Sequence, residues 1–344
     1  MGEQMNTINQ VIILGAGASK SEGAPLQSEL FIEFFKSYKN DKQGKLILDF
    51  FKDFWGININ NFQSPDIKFP TFEECLGILD WAHIRNECLR GYSQERLNTV
   101  RSALIYLIAK VLDENLKEKD VHHKCLVNRL VAENMLTQTA FISLNYDIII
   151  DNVLTELAFD FNIDYGLDSI NANRKKQARS SVLLLKLHGS LNWLYCPTCN
   201  NMEITPKKKQ AIKTFYKEEK CSICHAPTSP IIIPPTLYKE MNNPFIQQII
   251  LKTDIILRNV EKIFFCGYSF SDSDMHLKYL LKRAEIFNNI TPEIHIINYH
   301  DGKKEVKLAE EKERFIRFFN NVDNIFYHQD ISFENFAKNG VKQH

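Results

Sequence analysis

Short apolar runs punctuate this chain. The first, Val11-Ile12-Ile13-Leu14, enters Gly15-Ala16-Gly17-Ala18-Ser19. A β-branched run ending in a glycine turn predicts a buried strand that feeds a loop. Further runs are Ala140–Leu144, Val182–Leu187, Ile231–Ile233, Ile263–Cys266, Ile294–Ile297 and Asn324–Tyr327. They are short and apolar on both faces, the pattern of strands buried under helices on both sides. Helical spacing fills several of the intervals, at Asn243–Val260, Asp274–Phe287 and Lys303–Phe319. The alternation predicts an α/β domain on a mainly parallel sheet.

Two intervals depart from the alternation. From about 30 to 136 there is no convincing strand, and Leu97, Val100, Leu104, Leu107, Ile108 and Val111 recur at helical spacing. This predicts a helical insertion or subdomain. From about 195 to 230 the chain carries paired cysteines around a lysine-rich middle, which predicts a small metal module. No internal repeat and no low-complexity segment is visible.

Composition narrows the picture. The 344 residues suffice for a substantial core, as two units or as one domain over 8–344 with insertions. At 44% hydrophobic and 24% charged the chain is of ordinary globular make-up. Forty-two basic residues balance 42 acidic ones, which argues against a protein that coats nucleic acid by charge. The run Lys207-Lys208-Lys209 with Lys213, Lys217 and Lys220 reads as a solvated loop and leaves only a local polyanion contact open. No apolar run reaches the roughly 18 residues of a membrane span, and the first residues lack a cationic region followed by an apolar one. The expectation is a cytoplasmic protein. Eight cysteines are too sparse for a disulfide scaffold.

Candidate chemistry falls at the ends of the runs. Gly15 and Gly17 would let backbone amides approach a phosphate at a helix start, or serve a plain tight turn. The dinucleotide fingerprint asks for a third glycine where Lys20 stands, which disfavours a standard dehydrogenase. Cys196-Pro197-Thr198-Cys199 and Cys221-Ser222-Ile223-Cys224 are two CxxC knuckles 21 residues apart. That spacing matches a closed, structural zinc–thiolate site. His225 makes the second a CxxCH, a haem-attachment signature that the partner knuckle argues against.

His188, after the Val182–Leu187 run, and Asn145 and Asp147, after Ala140–Leu144, stand where ligands bind in an open parallel sheet. His188 suits a general base near neutral pH, or a satisfied structural histidine. Asn145 can orient a hydroxyl or water. Asp147 can hold an amide or ribose, or cap the next helix. The segment Gly267-Tyr268-Ser269-Phe270-Ser271-Asp272-Ser273-Asp274 can hold ribose or phosphate, or simply cap a helix, and Asn298 ends the next strand.

Taken in order, Gly15–Ser19, Asn145-Tyr146-Asp147, Leu187-His188-Gly189, the two knuckles, Gly267-Tyr268-Ser269 and Asn298 resemble the sirtuin family. The resemblance covers Val11 to about Tyr299, apart from 30–136. It implies a Rossmann-like domain that uses NAD as substrate, with a zinc-ribbon module held by Cys196, Cys199, Cys221 and Cys224. It implies that Gly15, Ala16, Gly17 and Ser19 line the dinucleotide and that Asn145 and Asp147 serve the nicotinamide–ribose end. His188 would be the catalytic histidine. Gly267, Ser269 and Asn298 would lie among the cofactor contacts, the last two on the adenosine side.

The departures have their own meaning. Protein-deacylating sirtuins carry Gly-Ile-Pro-Asp-Phe-Arg after the glycine loop, where this chain has Gly23-Ala24-Pro25-Leu26-Gln27-Ser28. Their Gln before the catalytic-region Asn is Leu144 here. Their Phe-Gly-Glu peptide clamp is Ile233-Pro234-Pro235-Thr236, in which proline removes backbone donors. The sequence is more similar to divergent sirtuin-like domains of bacterial antiphage systems, which share Gly-x-Pro-Leu and Asn-Tyr-Asp and hydrolyse NAD. That similarity implies hydrolysis to nicotinamide and ADP-ribose, with control by homo-oligomerisation or by a partner in trans such as a translocase-type ATPase. The alternatives are an NAD-dependent protein deacylase and a non-catalytic NAD or ADP-ribose sensor.

Overall fold

The computed structural model describes residues 7–57, 68–116, 120–156, 161–167, 180–205, 219–235, 241–287, 291–299 and 305–341. Of the basic run, Lys207, Lys208, Lys209, Lys213 and Lys217 lie outside the described residues.

Seven strands form one sheet. In chain order they are β1 (Gln10–Leu14), β2 (Thr139–Ser143), β3 (Phe161–Asp164), β4 (Ser180–Lys186), β8 (Lys262–Cys266), β9 (Glu293–Ile297) and β10 (Ile325–Tyr327). Their spatial order is β10-β9-β8-β1-β2-β4-β3, and every pairing is parallel. The chain runs outward from β1 through β2 on one side and returns to β8 on the other. The direction therefore reverses between β1 and β8, where such sheets open a crevice at their carboxyl ends.

The helices that cover the sheet start where the sequence supplies caps. Asn243 accepts from the amides of Phe245 and Ile246 ahead of Pro244–Leu257, with proline in the first turn, where its missing N–H costs nothing. The sheet core gathers Val11, Ile13, Phe141, Leu184, Phe265 and Ile296 with the helices Val121–Ala132, Ile149–Glu156, Pro244–Leu257, Met275–Phe287 and Phe333–Asn339.

A second core is helical. It draws on α2 (Leu30–Tyr38), α3 (Lys42–Trp55), α4 (Phe72–Ile84) and α5 (Gln94–Asn115). Aromatic rings dominate it: Phe31 stacks on Phe72 at 4.1 Å and meets Phe51 edge-on at 4.9 Å. Its buried residues run from Ala24 to Leu116. The helix Val121–Ala132, inside the 30–136 interval, packs instead on the sheet core. Ile148, Ile149 and Leu191 also join the helical core, and so seat it against the carboxyl end of the sheet.

A small antiparallel sheet carries the cysteines, in the order β6 (Met202–Ile204), β5 (Gly189–Tyr195), β7 (Ser229–Ile232). The Ile231–Ile233 run, expected as a strand of the main sheet, belongs here. Ile231 and Ile233 pack into the sheet core while Ile232 faces the helical core. Burial on both sides by two different cores imitates the signature of a central parallel strand. Among the described residues no helix is long and apolar enough to cross a membrane.

Candidate active site at the carboxyl ends of the strands

The glycine loop packs backbone against backbone. Gly15 follows β1, and a short helix, Ala16–Lys20, follows it. Gly17 donates its amide to the Gly267 carbonyl at 2.8 Å and Ala18 donates to the Gly15 carbonyl at 3.0 Å. Gly267 has φ +61°, and a Cβ there would stand 2.2 Å from the Ala18 nitrogen. Only glycine fits that crossing of two loops. Three candidate residues, Gly15, Gly17 and Gly267, are thus brought together at the β1–β8 reversal. Ala16 lies exposed beside them, and Ser19 is buried below.

Ser19 organises the next group. Its hydroxyl donates to Asp147 Oδ2 at 2.6 Å and accepts from Asn145 Nδ2 at 2.8 Å, while Nδ2 also donates to the Gly15 carbonyl at 2.9 Å. The other Asp147 oxygen accepts from the Ile149 amide, so Asp147 caps the helix Ile149–Glu156 as well as holding Ser19. Below them Lys186, wholly buried, bonds the Asp147 carbonyl and pairs with Asp151 at 2.9 Å. Tyr165 donates to the same Asp151 carboxylate. A lysine this deep persists only with such partners.

His188 stands between the two sheets. Its Nδ1 lies 2.9 Å from the Leu144 carbonyl. A carbonyl only accepts, so Nδ1 carries the proton and Nε2 of the neutral ring presents a lone pair. Gly189 makes the bend possible: it has φ +78°, and a Cβ would stand 2.0 Å from the Ile231 carbonyl oxygen. His188 Nε2 lies 3.1 Å from His276 Nε2 and 3.4 Å from Asp274 Oδ1. Tyr268 donates to the other Asp274 oxygen at 3.0 Å. Burial first, then the Asp274 carboxylate, raises the Tyr146 and Tyr268 phenols well above their ordinary value, so both remain donors.

The adenosine-side candidates separate. Ser269 is exposed on the loop after β8. Asn298 is buried, and its amide is engaged within the protein. Its Oδ1 accepts from the Tyr268 amide at 3.0 Å, and its Nδ2 donates to the Tyr268 carbonyl at 2.8 Å and to Glu311 at 2.6 Å. Asn298 therefore fixes the 267–268 loop. His276 is the site residue that sequence reading did not single out. It lies two residues past the 267–274 segment, on a helix, and only the fold brings it to His188. A cavity of about 730 Å³ lies elsewhere, over the amino ends of the strands near Gln10, Lys262 and Glu293, away from all of these residues.

The four cysteines converge as their spacing predicts. Cys196 Sγ is 3.4 Å from Cys224 Sγ, Cys199 Sγ is 3.6 Å from Cys221 Sγ, and all four sulfurs lie within 4.8 Å of one another. Ligands of a tetrahedral zinc at about 2.3 Å stand roughly 3.8 Å apart, so the quartet can hold zinc with little adjustment. Backbone amides of Cys199 and Thr198 draw the Cys196 thiol down to about 6. Those of Cys224 and Ile223 lower Cys221 in the same way. In each knuckle the backbone amides favour the thiolate form of the first sulfur, the form a metal binds.

A family model described as a SIR2-like domain matches residues 139–319, just over half of the chain. Among solved structures, Sir2Tm bound to a propionylated peptide is 13% identical over 96% of this chain and 90% of that chain, with a TM-score of 0.43. A complex described as Sir2-p53 peptide-NAD+ is 12% identical over 96% of this chain and 90% of that chain, with a TM-score of 0.42. No curated protein matches the sequence.

Proposed function

The chain belongs to the SIR2-like family, and from that premise we propose that it hydrolyses NAD to nicotinamide and ADP-ribose. Membership suggests NAD-dependent activity; the choice of nucleophile is the finer step. It rests on the main chain beside His188. The Ile233 amide donates to the His188 carbonyl at 2.9 Å, and the Ile233 carbonyl accepts from the Tyr146 hydroxyl at 2.7 Å. Pro234 and Pro235 follow and have no N–H. An acyl-lysine peptide adds itself as a strand through main-chain hydrogen bonds, and residues 233–235 offer it no free N–H. Water is then the available nucleophile.

In this reading NAD lies across the β1–β8 reversal. Gly15, Ala16, Gly17, Ser19, Gly267 and Ser269 line it, and Asn145 and Asp147 hold the nicotinamide–ribose end. Asn298 serves by holding Tyr268. Water oxygen bonds to the ribose carbon as the nicotinamide–ribose bond breaks, and nicotinamide leaves with the bonding pair. His188 Nε2, held in the right tautomer by Leu144, takes the water proton. Zinc in the cysteine quartet would hold the two knuckles together; it would take no part in bond breaking.

The cellular role follows the same resemblance: a cytoplasmic effector of bacterial antiphage defence, kept off by self-association or by a partner in trans of the translocase ATPase class. The test is nicotinamide release from NAD by wild type, His188→Ala and Asn145→Ala. Loss of a general base costs about 10²–10⁴-fold. Full activity in both variants overturns the assignment. Turnover that requires an acyl-peptide and yields an O-acyl-ADP-ribose makes the protein a deacylase, and NAD binding without turnover during phage challenge makes it a sensor.

A further inference from the structure

Three ligand-type side chains converge at the carboxyl end of the sheet. His188 Nε2, His276 Nε2 and an Asp274 oxygen all lie within 4.8 Å of one another, with His188 and Asp274 buried and His276 half-buried. The two separations from His188 Nε2 are 3.1 Å and 3.4 Å. Ligands of a tetrahedral zinc at about 2.0–2.1 Å stand roughly 3.3 Å apart, so these two edges already match. Because Leu144 fixes the proton of His188 on Nδ1, Nε2 is the ring nitrogen turned toward His276 and Asp274.

The surroundings also resemble those of metal sites. A ligating histidine ordinarily donates its other ring N–H to a carbonyl or carboxylate, and a ligating carboxylate is itself hydrogen-bonded. His188 does the first through Leu144, and Asp274 does the second through Tyr268. Two imidazoles and one carboxylate suit zinc and its transition-metal neighbours, whereas magnesium and calcium prefer oxygen shells. Three protein ligands leave a fourth position open.

We infer that His188, Asp274 and His276 form a second metal site, separate from the cysteine quartet, which takes one divalent ion of the zinc class. An ion there occupies the His188 lone pair. Where His188 is the base of NAD cleavage, an ion at this site switches that cleavage off; this consequence rests on the function proposed above, but the binding does not.

Zinc content is measured on the full chain after zinc titration and desalting, for wild type, His276→Ala, His276→Phe and the double variant Cys199→Ser/Cys224→Ser. Wild type should hold two ions per chain. Both His276 variants should keep the cysteine-bound ion, which also reports that they fold. They should lose the second, with affinity down by more than the roughly 10–100-fold that a lost outer-shell partner costs. The double cysteine variant should keep the ion at the histidines. Cobalt there should give a spectrum without thiolate charge-transfer bands, and magnesium should not compete. A single ion in wild type that the cysteine variant abolishes overturns the site, as does a second ion that survives both His276 variants undiminished. Zinc should also suppress NAD cleavage in wild type, relative to its own zinc-free rate, and much less in His276→Ala. If the chain cleaves no NAD at all, the ion count still decides the binding.

Discussion

The cysteine quartet and the histidine corner both gather ligand-type side chains, yet the chain builds them in opposite ways. The quartet comes from two tight knuckles in one small sheet, with Cys199 and Cys224 exposed. Its geometry is local: each knuckle aims two sulfurs, and a backbone amide of the same turn, Ile223 N to Cys221 Sγ at 3.4 Å, tunes them. The corner and the polar group behind it draw on the ends of β1, β2, β4 and β8, and the bonds that join these ends span long stretches of sequence, such as Ser19 to Asp147. A local site of four donors closes on a metal and has nothing left for chemistry. A distributed one brings Nε2 of His188 to His276 and Asp274 from separate strand ends. The difference teaches that the ribbon depends on its ion, whereas the mouth of the sheet depends on the fold.

The largest effect should come from breaking the local site. Zinc-finger peptides gain about 10–16 kcal/mol of apparent binding free energy from a structural zinc, all of it folding free energy. Replacing Cys199 and Cys224 with Ser, or stripping the metal with a chelator, should therefore unfold the two knuckles with β6 as a unit, while β5, whose Leu191 and Trp193 are buried in the two cores, keeps its place beside His188. Limited proteolysis should cut within 196–230, while circular dichroism keeps the signature of the parallel sheet. A ribbon that stays protease-resistant without its thiolates would show that the cores on either side of β7 hold it up, and the contrast would collapse.

How far each region was legible follows from the same difference. The quartet could be read from spacing, because a CxxC knuckle is complete within four residues. The central strands could be read because β1, β2, β4, β8 and β9 are apolar on both faces. Three strands were not recognised. The edge strand β3 (Phe161–Asp164) has one buried position, Ile163. β5 carries wholly buried Ser190 and Asn192, which in an alternating strand would be taken for surface positions. β6 has only three residues. His188 and Asn145 stood out because each ends an apolar run. Asp274 was noticed only within a capping segment, and His276 not at all, because a helix start carries no mark of what the sheet brings opposite it.

A smaller effect tests the claim that the mouth is held by long-range bonds. Ser19→Ala should leave a buried Asp147 oxygen and an Asn145 N–H short of a partner, at a cost of about 1–3 kcal/mol in urea unfolding. The matched change in the ribbon is Ser222→Ala, which removes an exposed bond to Glu203 of 2.6 Å and should stay within about 0.5 kcal/mol. Equal losses at the two serines would mean that neither burial nor span distinguishes the regions.

The smallest effect concerns the loop that leaves the mouth. Glu22, three residues past Ser19, is buried and reaches about a hundred residues along the chain. Its Oε1 accepts from the His122 amide at 2.7 Å, the His123 amide at 3.0 Å and His123 Nδ1 at 3.1 Å. It thereby caps Val121–Ala132, whose own N-cap residue, Asp120, makes no capping bond from its side chain. Burial pushes the Glu22 carboxyl up, but the bonds from His123 and His122 outweigh it and leave the group below its ordinary value of 4.5. A carboxyl depressed in the folded state contributes stability above its unfolded value and loses it as pH falls through the folded one. Glu22→Gln keeps an acceptor and removes the charge, so at neutral pH it should cost about 1 kcal/mol, the difference between a charged and a neutral acceptor. Measured by urea unfolding across pH, the wild-type advantage should shrink once the pH drops below 4.5 and vanish well below it. An advantage that is flat down to about pH 3 would mean that the cap works through shape alone. The glycine loop would then be tied to the helix by packing and not by charge.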